Sequence, residues 1–382
     1  MEAKVKKVCV VATVSVAHRV FMKEHVERLS ERYHVTLVCS GVSDLESVFS
    51  SANISLVDVQ IERNISLLSD LVSLFELLKL FRDERFDAVH SLMPKSGLLA
   101  MLAAKLACVP VRIHMFTGQV WVTSRGLKRK FLKSLDWLLA SVATHLLADS
   151  PSQRQFLLKE NVVACNKIFV LGPGSISGVD SGRFKPNPAS AVLVREALGI
   201  PPSATVFLFM ARLTRDKGAI DVVQAFLKIS NVAPNAHLLM VGPDEQGLDE
   251  VILPMVSEVR ERFHRVGFTA QPEDYMAASD VFCIPSYREG FSLATIQAAG
   301  VGLPAIASRI YGLIDAVDEG FTGLMHEPGD IESISSCMLK LYGDAALREL
   351  LAENARCRAV KDFDQRHIVG LMSEFYCDIL EN

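Results

Sequence analysis

The stretch from Ile284 to Gly302 reads I-P-S-Y-R-E-G-F-S-L-A-T-I-Q-A-A-G-V-G, and it decides the fold. An apolar run, Asp280-Val281-Phe282-Cys283-Ile284, stops at Pro285; a polar turn follows from Ser286 to Gly290, and a helical pattern begins near Ser292. Strand, turn and helix in immediate succession form the repeating piece of an open parallel sheet. In such sheets ligands bind beyond the carboxyl ends of the strands, where the first turn of the next helix offers unpaired N–H groups to an anion. Glu289 and Gln297 lie eight residues apart, so they can frame one ligand from the turn and from the second turn of that helix.

The same rhythm extends in both directions. In the first half, strands are predicted at Val8 to Thr13, Val35 to Cys39, Ile54 to Val59, Ala88 to Leu92, Val111 to Met115, His145 to Ala148 and Ile168 to Leu171. Helical patterns fill the intervals at Phe21 to Arg32, Leu67 to Arg82, Lys95 to Ala107, Gly126 to Ala143 and Ser152 to Lys159. The rhythm breaks at Gly172-Pro173-Gly174-Ser175 and again at Arg183 to Pro188, the Gly and Pro content expected of an interdomain connection. A second series of strands then runs through Val206 to Met210, His237 to Val241, His264 to Val266, Val281 to Ile284, Ala305 to Ala307 and Gly323 to Met325. The expectation is an α/β chain of two doubly wound domains, 1–174 and 175–361, with parallel sheets facing a cleft. A tail helix over 362–382 is expected to pack back on the first domain.

Composition limits the function classes. With 382 residues, half of them apolar, and a formal net charge of −4, the chain has no basic field of the kind nucleic acid requires. Its eight cysteines are scattered without a C-x-x-C pair, and several lie inside apolar runs, which reads as buried free thiols in a reducing, cytoplasmic compartment. Lys4, Lys6 and Lys7 before an apolar run resemble a secretory signal, but the β-α-β rhythm that follows at once favours a buried first strand. The N-x-S sequons at Asn53 and Asn64 therefore carry little weight. No apolar stretch reaches the roughly 18 residues that a spanning helix needs.

Chemistry concentrates in the second half. Arg212 and Lys217, in Ala211-Arg212-Leu213-Thr214-Arg215-Asp216-Lys217-Gly218, stand between a strand end and a helix start, a favourable place for holding phosphate oxygens. Taken alone, two solvated surface cations would be the better reading. The second loop at Glu289 to Ser292 reverses that preference. No metal-ligand spacing is present, and Asp362-Phe363-Asp364 reads as a helix start.

These residues resemble a known family. Ala211-Arg212-Leu213 with Lys217-Gly218, Val241-Gly242-Pro243, Val266-Gly267-Phe268, Ser286 to Phe291, Gly302-Leu303-Pro304 and Gly320 to Gly323 occur in the order found in retaining glycosyltransferases of the GT-B fold, family 4. The N-terminal half matches more loosely, mainly through His114. The resemblance implies two Rossmann-like domains, a nucleotide sugar held by the C-terminal one, and no cofactor or metal. It implies that Arg212 and Lys217 neutralise the diphosphate and that Glu289 meets the sugar hydroxyls. Gly290, Phe291 and Ser292 would contribute backbone N–H groups, with Gly267 and Phe268 also on the donor side. His114 would hold the sugar or its proton network.

One residue departs from the family pattern: Gln297 stands where a second glutamate usually accepts from the ribose hydroxyls. A neutral amide still accepts, without charge assistance. On the acceptor side, Ser15, His18 and Arg19 at the exit of the first strand are candidates, with an ordinary strand-to-helix turn equally consistent. Thr117, Gly118 and Gln119 follow His114 as further lining candidates. Residues 121–139 interleave Arg125, Lys128, Arg129, Lys130 and Lys133 with Trp121, Leu127, Phe131, Leu132, Leu135, Trp137 and Leu138. This pattern suits either an anionic membrane surface on the inner face or a packed helix with a solvated basic side. Membrane contact would imply a polyprenyl-diphosphate-linked sugar acceptor. Ala307 to Val317 resembles the branch that builds lipid-linked antigen repeats, which implies UDP and a hexose or N-acetylhexosamine. A hydrolase or epimerase of the same fold, and a silent nucleotide-sugar binder, remain as alternatives.

Overall fold

The computed structural model describes residues 5–62 and 66–381; Lys4 and the Asn64 sequon lie outside the described residues. The chain divides into two compact units, Met1–Ser177 with Arg366–Asn382, and Gly178–Gln365.

Unit 1 opens with β1 (Lys7–Val14), a single turn α1 (Ser15–Ala17), a π-turn over His18–Met22 and α2 (Lys23–Ser30). There follow β2 (His34–Ser40), β3 (Ile54–Asp58), α3 (Leu67–Glu84), β4 (Ala88–Leu92), α4 (Pro94–Leu106) and β5 (Val111–Phe116). The first pass ends with α5 (Gly126–Val142), β6 (His145–Ala148), α6 (Pro151–Lys159) and β7 (Ile168–Phe169). Seven strands pair in the order β3-β2-β1-β4-β5-β6-β7, every pair parallel. Right-handed crossovers place α3, α4 and α5 on one face of this sheet and α2 on the other. Buried strands covered on both faces must read as continuous apolar runs, which is why β1, β2 and β4 were legible.

Unit 2 repeats the plan with α7 (Pro188–Leu198), β8 (Thr205–Met210), α8 (Ala219–Ile229), β9 (Ala236–Val241), α9 (Asp249–Met255) and β10 (Phe263–Val266). It continues through α10 (Pro272–Ala277), β11 (Val281–Ile284), α11 (Leu293–Val301), β12 (Ala305–Ser308), α12 (Leu313–Ala316), β13 (Gly323–His326), α13 (Ile331–Gly343) and α14 (Ala345–Asp362). The six strands order as β10-β9-β8-β11-β12-β13. The order reverses between β8 and β11, so the exits of those two strands flank the switch point where such sheets bind ligands.

The chain then returns to unit 1 as α15 (Gln365–Glu381), which buries Ile368, Met372, Tyr376 and Leu380 at helical spacing. Tyr376 shares a 2.8 Å hydrogen bond with Nδ1 of His90 in β4. The outgoing and returning connections pair with each other: Val179 N–H donates to the Phe363 carbonyl at 2.7 Å and Gln365 N–H to the Val179 carbonyl at 3.0 Å. Gly178 has a φ of +65°, and a Cβ there would lie 2.7 Å from the Phe363 carbonyl oxygen, so only glycine fits.

Three expectations change. The tail helix starts directly after Asp362-Phe363-Asp364, as expected, but the cysteines are not all buried: Cys108, Cys165 and Cys357 are exposed. The segment after β1 is not a loop, since the helix begins at Ser15 and passes through a π-turn at His18. β7 ends at Phe169, two residues short of Leu171.

Unit 1 also buries His18, His25, His90 and His114, and burial pushes their pKa values down to about 4, 4, 3 and 3. Below their ordinary value near 6.5 the unfolded chain takes up protons that the folded unit refuses, so stability falls as pH drops from about 6.5 towards 4. The slope is about 1.4 kcal/mol per pH unit for each histidine. Both tryptophans, Trp121 and Trp137, belong to unit 1. Urea melts followed by tryptophan fluorescence should therefore hold their midpoint from pH 7.5 to about 6.5 and lose it steadily from there to about pH 5, and a flat midpoint would contradict this account.

Candidate active site

The exits of β8 and β11 lie side by side in unit 2. After β8 the chain forms a single tight turn, Arg215–Lys217, closed by Gly218 at a φ of +71°. A Cβ on Gly218 would stand 2.2 Å from the Pro285 carbonyl oxygen, so this glycine lets the β8 exit press against the β11 exit. Lys217 Nζ donates to Glu289 Oε1 at 2.6 Å, and Ser286 Oγ donates to the same oxygen at 2.9 Å. Both partners of the ion pair are largely buried, with side-chain exposures of 18% and 11%.

One residue earlier in each loop the charges pair again, in the opposite sense. Arg288 donates to Asp216 Oδ2 at 2.9 Å, Thr214 Oγ1 donates to Asp216 Oδ1 at 2.6 Å, and the Tyr287 N–H donates to the Asp216 carbonyl at 2.8 Å. Burial alone would push the Asp216 carboxyl up. The hydrogen bonds from Thr214 and Arg288, with the Arg288 and Lys217 charges, outweigh it and hold the group below the usual carboxylate range. Tyr287 OH donates to Asp221 of α8 at 2.6 Å, and burial, with the Asp221 carboxylate, pushes that phenol up to about 12.

The remaining donor-side candidates divide. Arg212 also leaves β8, but donates to Glu245 after β9 at 2.6 Å and stays half exposed. Gly242, at the end of β9, must be glycine because a Cβ would meet the Ala211 carbonyl oxygen at 1.9 Å. Gly290 is buried beneath Gly312, where a Cβ on Gly312 would lie 2.4 Å from the Gly290 carbonyl oxygen. The Phe291 ring packs inward against Phe363, which leaves only its backbone for a ligand. Ser292 caps α11, its hydroxyl accepting from the Thr295 N–H and from Thr295 Oγ1 at 2.8 Å. The N–H groups of Phe291 and Ser292 donate to no described residue, as an anion-binding helix start requires. Gln297 is half-buried in the second turn of α11. Gly267 and Phe268 lie exposed at the exit of β10 and make no hydrogen-bonded contact with the Lys217–Glu289 pair.

At the corresponding edge of unit 1, His114 sits in β5 with Nδ1 2.9 Å from Ser91 Oγ and its ring edge-on to Phe116 at 4.7 Å. Burial, with His90 second, pushes its pKa down to about 3, so the imidazole is neutral at any working pH. A Cβ on Gly97 of α4 would lie 2.4 Å from the His114 Cε1, so the absent side chain makes room for this ring. Thr117 and Gly118 follow directly; Gln119 is buried, and its Nε2 has no partner among the described residues. Of the β1-exit candidates, Ser15 donates to Asp44 at 3.1 Å and Arg19 is exposed. His18 is fully buried with Nε2 on the Val38 carbonyl at 3.1 Å, which gives it a place in the core and none at the surface.

Two family models match the chain: a glycosyl transferase 4-like domain over residues 18–174 and glycosyl transferases group 1 over residues 193–358. The chain belongs to this family of glycosyltransferases. The capsular polysaccharide biosynthesis glycosyltransferase CapM of Staphylococcus aureus is 29% identical over 325 residues, 85% of each chain. The UDP-Gal:alpha-D-GlcNAc-diphosphoundecaprenol alpha-1,3-galactosyltransferase of Escherichia coli is 28% identical over 99% of this chain and 98% of that one. The N,N'-diacetylbacillosaminyl-diphospho-undecaprenol alpha-1,3-N-acetylgalactosaminyltransferase of Campylobacter jejuni is 24% identical over 82% of each. Among solved structures, HepE of Anabaena in complex with UDP and glucose superposes with a TM-score of 0.81 at 16% identity, over 97% of this chain and 99% of that one. WaaG, a glycosyltransferase involved in lipopolysaccharide biosynthesis, gives 0.74 at 16% identity over 98% and 99%. The fold is GT-B, built from two Rossmann-like units.

In this glycosyltransferase the residues that sequence reasoning passed over are Thr214, Asp216, Ser286 and Arg288. A signal was available: Asp216-Lys217 and Arg288-Glu289 carry opposite charges in matching order at the two exits. Arg288 Nε is buried without a partner, so removal of the Asp216 charge leaves a poorly compensated cation, at a cost of about 1–3 kcal/mol. Asp216→Asn is expected to lower kcat about tenfold or more, with the circular dichroism of the folded protein unchanged and the melting point of unit 2 lowered by about 2–10 °C. An unchanged kcat would remove Asp216 from the machinery.

Proposed function

We propose that this glycosyltransferase moves a hexose or N-acetylhexosamine, with retention of anomeric configuration, from a UDP-linked donor to a polyprenyl-diphosphate-linked sugar. The product would be a step in building a surface polysaccharide or O-antigen type chain. The observation that carries the reading is the Lys217–Glu289 pair at the switch point of unit 2. Support for the donor and acceptor classes comes from the E. coli relative, whose name gives both, and from the C. jejuni relative, whose name gives a lipid-diphosphate acceptor.

In this reading unit 2 takes the donor and unit 1 the acceptor. An entering diphosphate competes with Glu289 for Lys217, and the exchange releases the Glu289 carboxylate to accept from sugar hydroxyls. Arg212, half exposed on the same exit, turns from Glu245 to the phosphates. Positive charge fixed where the leaving group becomes more negative lowers the barrier directly, and removing such a donor typically costs about 3–4 kcal/mol. These cations belong to the chain, so transfer is expected to persist in EDTA. His114, held neutral, would act as a hydrogen-bonding group and not as an acid. Gln297 would accept from the ribose through its amide oxygen.

Among the described residues no helix is long and apolar enough to cross a membrane. Peripheral contact on the inner face would use α5. Its Arg129 and Lys133 are engaged by Glu160 and the buried Trp121 ring, which leaves Arg125, Lys128 and Lys130 exposed beside Leu127, Phe131 and Trp137.

The test is incubation of the purified protein with a panel of nucleotide sugars, with and without a prenyl-diphosphate-linked sugar. Acceptor-dependent release of UDP is the expected result. Acceptor-independent turnover would point to a hydrolase or epimerase, and binding without turnover to a silent binder. In the same assay Lys217→Ala should lose about a hundredfold or more in kcat. Gln297→Glu should stay within about tenfold of wild type or exceed it, and a folded but dead variant would refute the role given to Gln297.

A further inference from the structure

Helix α3 has two apolar faces. One is the core face, formed by Ser73, Leu77 and Phe81. The other consists of Leu67, Leu68, Leu71, Val72 and Phe75, which are 50% to 81% exposed. A helix at the surface of a soluble domain should present polar residues there, and one that is apolar all round ordinarily meets a second apolar phase. These five side chains fill the first two and a half turns. The outer face turns polar afterwards, at Glu76, Lys79, Arg82 and Asp83.

The surroundings indicate what that phase is. α4 packs against both α3 and α5, so the three helices form one layer whose first turns follow the carboxyl edge of the unit 1 sheet. At that edge α5 exposes Leu127, Phe131 and Trp137 by more than half, together with Arg125, Lys128 and Lys130. The sole acid on α5, Asp136, is buried on the Trp121 indole N–H at 2.7 Å. On the apolar turns of α3, Asp70 is bound to Lys95 at 2.5 Å. An apolar stripe beside exposed cations, with Asp70 and Asp136 engaged and Glu76 at its border, matches an anionic bilayer: hydrocarbon for the one, headgroups for the other.

We infer that the first turns of α3 insert into the hydrocarbon border of an anionic membrane, with α5 as the electrostatic contact beside them. The inference deepens the membrane reading of α5 and rests on it, while the catalytic reading stands apart. Vesicles of phosphatidylglycerol and phosphatidylethanolamine are the probe, with co-sedimentation in 0.1 and 0.5 M NaCl. Wild type should retain binding at high salt. Leu68→Asn/Leu71→Asn/Phe75→Asn should lose at least tenfold in partitioning at both salts, and Lys128→Glu/Lys130→Glu should lose mainly the low-salt component. Replacing exposed residues by Asn leaves the core face intact. A Leu71→Trp/Trp137→Phe variant should be quenched by bromine-labelled acyl chains.

Binding that salt abolishes and the α3 substitutions leave unchanged overturns the insertion and keeps α5. Absence of binding to any vesicle overturns both membrane roles. A wild-type dimer that the α3 substitutions convert to monomer, with vesicle partitioning unaffected, overturns it in favour of a second copy of this chain. Transfer to a short-chain, water-soluble acceptor should be equal in wild type and the α3 variant. Loss of that activity in wild type would count against the catalytic reading alone.

Discussion

The ion pair between Lys217 and Glu289 fixes how the candidate site in unit 2 of this glycosyltransferase is built. A lysine and a carboxylate taken largely out of water are costly unless they meet each other, and they can meet only if two strand exits approach within a side chain's length. Gly218 permits that approach, Ser286 supplies the second hydrogen bond, and the Asp216–Arg288 pair holds the loops in register. The two pairs differ in kind. In the proposed reading Lys217 and Glu289 are the groups that a charged ligand would separate, whereas the Asp216–Arg288 pair bridges the same two loops and would stay joined when the first pair opens. The site therefore combines a replaceable contact with a fixed one.

Unit 1 answers with a different strategy. Its polar groups at the sheet edge are neutral and sunk in apolar surroundings: His114 behind Phe116 and over Gly97, and Gln119 with an unsatisfied amide nitrogen. Such groups give direction without attracting ions, which suits the recognition of uncharged hydroxyls.

Most of the architecture was legible because parallel strands covered on both faces leave apolar runs that alternate with amphipathic helices. Lys217 and Glu289 were legible for a related reason, since loops at strand exits are short and their charged residues have few structural duties. Partner choice was not legible. Lys217 and Glu289 lie 72 residues apart, and nothing local to Arg212 announces Glu245 instead of a phosphate. The fate of His18 was hidden because a π-turn turns the residue inward, and a widened helical turn leaves no compositional trace. The start of the tail helix was legible at Asp362-Phe363-Asp364, but the pairing of the two crossovers there was not, because it joins residues at opposite ends of unit 2.

That crossover has a consequence for biosynthesis. Unit 1 is encoded almost entirely in the first 177 residues, yet part of its core, Met372, Tyr376 and Leu380, arrives with α15 at the other end of the chain. A ribosome releases the N-terminal end first, at about 5–20 residues per second. The earlier-made domain thus waits, with the β4 side of its sheet uncovered at His90, while the whole of unit 2 is synthesised. Unit 2, contiguous in sequence, can close its own core in the meantime. The order of completion is the reverse of the order of synthesis, and a nascent chain of this protein exposes apolar surface until α15 has left the exit tunnel.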